Sequence, residues 1–100
     1  MQDFSIVRLG KPDLVFTGDL IGKSTAAKPR CQIYRTKGGK YIGQLAIDAL
    51  RSEAEPFDKP AELVNWFKSK IGLLIDVQEA IEASARQDQT FKDFWTEKVD

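Results

Sequence analysis

One segment in the first half of the chain carries the residue types of a phosphate-binding loop. Residues 18–24 read Gly-Asp-Leu-Ile-Gly-Lys-Ser, and residues 73–76 read Leu-Leu-Ile-Asp, which resembles the magnesium-binding strand of such sites. Three residues separate the glycines, however, where the phosphate loop needs four to build its nest of amides. The next segment also leads into another predicted strand and not into a helix. We therefore predict a strand that ends in a Gly-Lys turn, without nucleotide hydrolysis.

Three carboxylates and one thiol are the remaining groups with catalytic chemistry. Asp76, Glu79 and Glu82 fall on one predicted helix, where a capping box explains the first two and Glu82 suits a solvated face. Cys31 falls on the core side of a predicted strand, where a free thiol is inert. Histidine, the commonest general base and metal ligand, is absent from the chain. These residues predict a protein that is not an enzyme and holds no cofactor or metal.

Basic side chains are concentrated in the first half of the chain. Residues 1–50 hold eight Lys/Arg and four Asp/Glu, residues 51–100 hold seven and eleven, and residues 20–41 hold six basic residues and no acid. This pattern suits either an acidic half of the same fold or an anionic partner, although a pI near 6.3 argues against a dedicated nucleic-acid binder. The candidate contacts for a protein or nucleic-acid partner are Lys23, Lys28, Arg30, Arg35, Lys37, Lys40 and Tyr41.

Aromatic residues near the end of the sequence form a second candidate contact. Phe91, Phe94 and Trp95 fall on one face of a short predicted helix. This face either docks on the sheet or forms a homodimer seam or partner patch, because tryptophan is enriched at interaction hot spots.

The elements that must position these residues fit in one domain spanning residues 1–100. A chain of 100 residues with 42% hydrophobic residues is long enough for one core. Its single cysteine excludes an internal disulfide. No apolar run approaches the roughly 20 residues that span a bilayer. The first residues also lack the pattern of a signal peptide, so we expect a cytoplasmic protein without membrane contact.

An antiparallel β-meander of three to four strands is predicted over about residues 4–9, 14–21, 30–36 and 40–47. The last two strands form a hairpin around Lys-Gly-Gly-Lys at residues 37–40. A three-residue loop at residues 37–39, with Gly39 in the left-handed region, gives the register that keeps the apolar residues together. The residues that this register places on one face are Cys31, Ile33, Tyr41, Leu45 and Ile47.

Two to three short helices are predicted after the sheet, over about residues 60–71, 77–87 and 91–98. Residues 48–55 fit either one helical turn or a loop, and Pro56 and Pro60 bracket a linker. Asp58 is the predicted cap of the first helix, and Thr90 that of the last. One longer helix in place of the last two remains an alternative, since residues 88–90 interrupt the helical pattern only weakly. Strands followed by helices that pack on one face indicate an α+β fold.

Two segments of the chain resemble a family of short bacterial proteins. Residues 16–21, Phe-Thr-Gly-Asp-Leu-Ile, resemble its FxGxLL strand, and residues 33–42, Ile-Tyr-Arg-Thr-Lys-Gly-Gly-Lys-Tyr-Ile, resemble its LYRTxGGKY(I/V) hairpin. Residues 62–67, Glu-Leu-Val-Asn-Trp-Phe, stand where the family has a helix beginning ExVxxFF, and the chain departs from the pattern after Ile47. No activity is assigned to the family. Members on plasmids and other mobile elements imply an accessory role.

The favoured functional hypothesis is a small accessory protein that acts by protein–protein interaction. The alternative is a nucleic-acid-binding module that uses the basic loop and hairpin of residues 23–41. A small enzyme that works without histidine is a third, disfavoured hypothesis. The two residue sets named above, basic and aromatic, are the candidate contacts for the first two.

Overall fold

A five-stranded antiparallel sheet followed by three helices forms the fold, in a computed structural model that describes residues 1–25, 30–46, 51–72 and 74–99. The strands lie side by side in chain order. The predicted α+β meander with helices packed on it is confirmed, with one strand more than expected. The elements are β1 (Gln2–Ile6), β2 (Leu14–Lys23), β3 (Cys31–Thr36), β4 (Tyr41–Ala46), β5 (Ser52–Phe57), α1 (Pro60–Ile71), α2 (Ile75–Gln87) and α3 (Gln89–Phe94).

The hairpin of β3 and β4 has the predicted register. Cys31 pairs with Leu45, and the Thr36 N–H donates to the Lys40 carbonyl at 2.8 Å across the three-residue turn. Gly39 has φ +85°, in the left-handed region that a side chain disfavours. The turn geometry and the alternation of apolar residues therefore agree on one pairing.

Replacing Gly39 with alanine should lower the free energy of unfolding by about 1–2 kcal/mol, because an L residue is strained at that φ. Gly38→Ala is the matched control, since Gly38 has ordinary φ and its added Cβ would lie 3.9 Å from the nearest atom, the Thr36 hydroxyl. Urea unfolding of the two variants measures the difference. Equal stability of the two variants would contradict this account of the turn.

The fifth strand replaces the helical turn or loop predicted over residues 48–55. Ser52 and Ala54 are buried, and the glutamates that alternate with them are half-exposed. Serine, alanine and glutamate favour strands weakly, so pairing with β4 along the whole of β5 is what forms it. Pro56 fits because β5 ends the order of strands, where a missing N–H costs little. Residues 48–50 lie outside the described part of the chain.

The helix-facing side of the sheet carries the main core. Phe67 of α1, Ile81 of α2 and Phe91 of α3 are fully buried against it. This is the face that the hairpin register predicts, apart from Ile47, which lies outside the described residues. The strand residues of this core are Ile21, Cys31, Ile33, Tyr41 and Leu45.

The opposite side of the sheet is buried because the sheet curls. A parallel bridge joins Arg8 to Ser52, and the Ser52 N–H donates to the Val7 carbonyl at 3.0 Å. The end of β1 therefore lies beside the start of β5. The side chains inside the curl are Ile6, Tyr34, Ile42 and Ala54, with Phe4, Leu14 and Phe16 partly buried against them.

The segment that resembles a phosphate loop belongs to β2 up to Lys23, with a register shift against β3 between Leu20 and Gly22. β2 extends through Lys23, so the predicted Gly-Lys turn is wrong. α2 lies directly on Gly22, where an added Cβ would collide with the carbonyl oxygen of Ala80 and the hydroxyl of Ser84. The glycine therefore allows a helix to approach a strand closely, which explains its presence without a phosphate.

The first helix spans the predicted residues, but its cap is one residue later than expected. Lys59 occupies the cap position, and its N–H donates to the Glu62 carboxylate at 3.2 Å. Asp58 is exposed and lies 3.5 Å from the Lys40 ammonium. The hydrogen bond that the Glu62 carboxylate accepts from the Lys59 N–H takes the place of a capping carboxylate at position 58.

The last two helices are separate. α2 ends at Gln87, and Asp88 accepts the Phe91 N–H at 3.0 Å, so Asp88 and not Thr90 caps α3. α3 ends at Phe94, four residues before its predicted end at residue 98. The break is sharp because one buried carboxylate fixes the start of the second helix.

Candidate protein-interaction surface

The basic residues of the first half lie at two separate ends of β3. Lys23 and Arg30 flank its start, whereas Lys37 and Lys40 flank the turn after its end, and all four are exposed. The six extended residues between the two groups span about 20 Å. Lys28 lies outside the described residues. Nucleic-acid binding stays a prediction, and these four side chains give it no continuous basic face.

Arg35 and Tyr41 both contact Asp88 within the chain. The Tyr41 hydroxyl donates to Asp88 Oδ2 at 2.6 Å, and the Arg35 guanidinium pairs with Oδ1. The guanidinium also lies over the Tyr41 ring, 5.4 Å from its centroid. Tyr41 is 1% exposed, so its prediction as a surface contact is wrong. We call Asp88, Arg35, Tyr41 and the Phe91 N–H the Asp88 cluster.

The Asp88 cluster keeps fixed charges at neutral pH. Burial raises the pKa of the Asp88 carboxyl, but hydrogen bonds from Tyr41, the Phe91 N–H and Arg35 outweigh burial and hold that pKa below its usual value. Burial, followed by the hydrogen bond to Asp88, raises the pKa of Tyr41 to about 12. An ionised carboxylate beside a neutral phenol suits a structural clasp between α3 and the hairpin.

The other side chains with catalytic chemistry serve the fold. Burial, with the nearby Asp76 carboxylate, raises the pKa of the Cys31 thiol to about 11. Glu79 accepts a hydrogen bond from the Thr25 hydroxyl and does not cap α2, so the predicted capping box is wrong. Ser24 of the phosphate-loop-like segment is fully buried. No cluster of three metal-binding side chains occurs within the described ranges.

A small cavity of about 130 Å³ lies between the end of β1, β5 and α1. Its charged groups are paired: Arg8 donates to the Ala54 carbonyl at 3.1 Å, and Lys11 forms an ion pair with Glu55. These pairs leave little for a charged ligand to bind.

The predicted aromatic contact divides into a buried and an exposed part. Phe91 is fully buried and packs edge-on against Tyr41, with ring centroids 5.8 Å apart. Phe94 and Trp95 are 40% and 36% exposed. α3 therefore anchors itself in the core with one ring and presents the other two at the surface.

Two grooves lie along α2 and share Arg86, and Trp95 lines the first of them. The first, of about 620 Å³, lies between α2 and the end of α3; we call it the α2–α3 groove, and its lining is Glu82, Ala85, Arg86, Lys92, Trp95 and Thr96. The second, of about 390 Å³, lies between α2 and β2; we call it the β2-edge groove, and its lining is Leu20, Ile21, Gly22, Lys23, Ala83, Arg86 and Gln87. Because Arg86 lines both, the two grooves are neighbours along the second half of α2.

Several of the residues that line these two grooves were not selected from the sequence. Leu20 looks like one more apolar residue of a strand, yet it is 39% exposed because β1 pairs with β2 only between Leu14 and Gly18. Arg86 looks like a solvated charge at a helix end. The only sign of this surface in the sequence is an apolar residue close to a basic one. That combination is too common in proteins to identify a binding surface.

Comparison of the chain with protein-family models, with curated proteins and with solved structures gives no match. The resemblance to the short bacterial proteins stays a prediction from the sequence. Among the described residues, no helix combines the length and the hydrophobicity needed to cross a membrane.

Proposed function

We propose that this protein is a non-enzymatic accessory protein that binds another protein through the α2–α3 groove. The observation that carries the proposal is the exposure of Trp95, which lines that groove, and of Phe94, whose ring centroid lies 6.1 Å from that of Trp95. Partly exposed aromatic rings next to a concave surface release water when a partner covers them, and they are enriched at binding hot spots.

The charges of the groove favour a protein over a polyanion. Arg86 and Lys92 share the lining with Glu82, so both signs are present within one groove. A nucleic acid would place phosphates beside that carboxylate, whereas a protein surface of mixed charge can satisfy both signs.

Contacts within the chain attach α3, which forms one wall of the groove, to the rest of the fold. Phe91 and the Asp88 cluster attach α3 to the sheet. Phe91 lies one helical turn before the exposed rings of Phe94 and Trp95. A surface that is already ordered loses less conformational entropy on binding, which favours affinity.

Capture from native lysate tests the proposal with Trp95→Ser and a matched control, Val15→Ser. Val15 is 70% exposed and lies on β2 away from the groove, so both variants remove one exposed apolar side chain. We expect the wild type and Val15→Ser to recover the same protein, and Trp95→Ser to recover about fivefold less or lower still. Equal recovery by all three, or no recurrent protein, would contradict the proposal.

Sedimentation of the purified protein tests self-association at the same rings. A homodimer that Trp95→Ser dissociates and Val15→Ser does not would assign Phe94 and Trp95 to a seam between two copies. A monomer at all concentrations supports binding to a different protein.

A further inference from the structure

We infer that the β2-edge groove binds an extended, acidic segment of a partner protein, which adds a strand to the sheet beside β2. The inference rests on the proposed function and names the chemistry of the partner. It follows from three features of this groove: an unpaired strand edge, apolar side chains in the lining and two lining cations, Lys23 and Arg86.

The edge of β2 is unpaired along its second half. β1 pairs with Leu14–Gly18 only, and no other described strand continues beyond Gly18 on that side. β3 occupies the opposite side as far as Lys23. The Ser24 N–H donates to the Cys31 carbonyl at 3.0 Å, so the backbone groups of Lys23, one residue earlier, point away from β3.

An unpaired strand edge binds extended peptides through main-chain hydrogen bonds, while alternate side chains enter neighbouring pockets. Here α2 forms the second wall of the groove, whose lining includes Ala83, Leu20 and Ile21 and whose volume is about 390 Å³. That volume can hold apolar side chains of an added strand. The geometry therefore fits a single extended segment and not a second helix.

The charge of the groove selects an acidic segment. Lys23 and Arg86 both line it and both are exposed, and no carboxylate is among its lining residues. Acidic side chains on an added strand would lie within reach of these two cations. Opposite charges across an interface fix the register of the partner and exclude basic sequences.

A second copy of the chain is the competing occupant of this edge. Antiparallel pairing of two Asp19–Lys23 edges in full overlap would place Lys23 of each copy opposite Asp19 of the other. The Asp19 carboxylate already pairs with the Met1 amine of its own chain at 3.1 Å, whereas the carboxylates of an acidic partner segment have no such partner. An acidic segment therefore complements Lys23 better than a second copy does.

Selection from a phage-displayed library of random ten-residue peptides tests the inference. We expect enriched peptides that alternate apolar and acidic residues. Fluorescence anisotropy should show that Lys23→Glu and Arg86→Glu each weaken binding of a labelled enriched peptide by about tenfold. Lys37→Glu, at the other end of β3, is the matched control and should leave binding unchanged. N-methylation of alternate backbone amides of the peptide should abolish binding, and the Lys23 amide should become protected from hydrogen exchange.

The outcomes separate this inference from the proposed function. Enriched peptides without acidic residues, or binding that Lys23→Glu and Arg86→Glu leave unchanged, would overturn the inference. A concentration-dependent dimer that Lys23→Glu alters would also overturn it and assign the edge to self-pairing. If no peptide is enriched while lysate capture still depends on Trp95, the inference fails and the proposed function stands. Failure of both experiments removes both.

Discussion

Gly22→Ala should lower the free energy of unfolding by about 3 kcal/mol, as expected for a core position with no room for a methyl group. The added Cβ would collide with the Ala80 carbonyl oxygen and the Ser84 hydroxyl, and it would lie 2.8 Å from the Ser84 nitrogen. Backbone atoms of a helix cannot rotate away as a side chain can. α2 must therefore move off β2, and its buried residues Val77 and Ile81 lose part of their packing.

Gly38→Ala provides the control for Gly22→Ala, because it adds the same methyl group at an open position. Chemical unfolding of both variants, followed by circular dichroism, measures the difference. We expect Gly38→Ala to stay within about 0.5 kcal/mol of the wild type. A Gly22→Ala variant as stable as the control would mean that α2 does not rest on β2 at this position.

Asp88→Ala should destabilise the protein by about 3 kcal/mol, since it removes a helix cap and leaves a buried hydroxyl without an acceptor. The carboxylate accepts hydrogen bonds from Tyr41 and the Phe91 N–H and pairs with Arg35. Arg35 is partly exposed and can turn to water, so most of the loss comes from the other two donors. Asp93→Ala is the matched control, because Asp93 is an exposed carboxylate of the same helix that accepts a hydrogen bond from the Gln89 amide at 2.8 Å.

Asp88→Asn separates the charge of Asp88 from its capping role. Because the folded-state pKa lies below the unfolded value, the unfolded chain takes up the proton first as the pH falls. The stability that Asp88 contributes is therefore complete above about pH 4 and is lost as the pH falls through the folded pKa. We expect the wild type to lose more stability than Asp88→Asn between pH 5 and pH 2, two pH values at which urea unfolding can be compared. Parallel pH profiles would show that the charge contributes nothing.

The sequence predicts best the parts of the fold that local chemistry determines. The β3–β4 hairpin could be predicted because two glycines fix the turn and alternating residues fix the register. β5 was not, since Ser-Glu-Ala-Glu has weak strand preference and becomes a strand only when β4 and the end of β1 are beside it. The apparent Gly-Lys turn fails for a similar reason: the role of Gly22 depends on a helix some 60 residues later in the chain.

The candidate interaction surface was harder to predict from the sequence than the fold. Residue type alone identifies Phe94 and Trp95 as candidate contacts. That these two rings are exposed while Phe91 is buried follows only once the end of α3 is known. The groove beside β2 depends on how far β1 reaches along its neighbour, which no local pattern records. Long-range pairing determines which side chains remain exposed, and that information is distributed over the whole chain.

The position of Asp88 in the chain also has a consequence for the order of folding. Its bond to Tyr41 joins residues 47 apart, whereas the hairpin closes over a three-residue turn. Short loops close at lower entropic cost, so the hairpin can form early and the clasp only when most of the chain is in place. Weakening a contact that forms late mainly speeds unfolding and leaves the folding rate nearly unchanged. Asp88 would then act as a kinetic lock that determines how long a folded molecule survives.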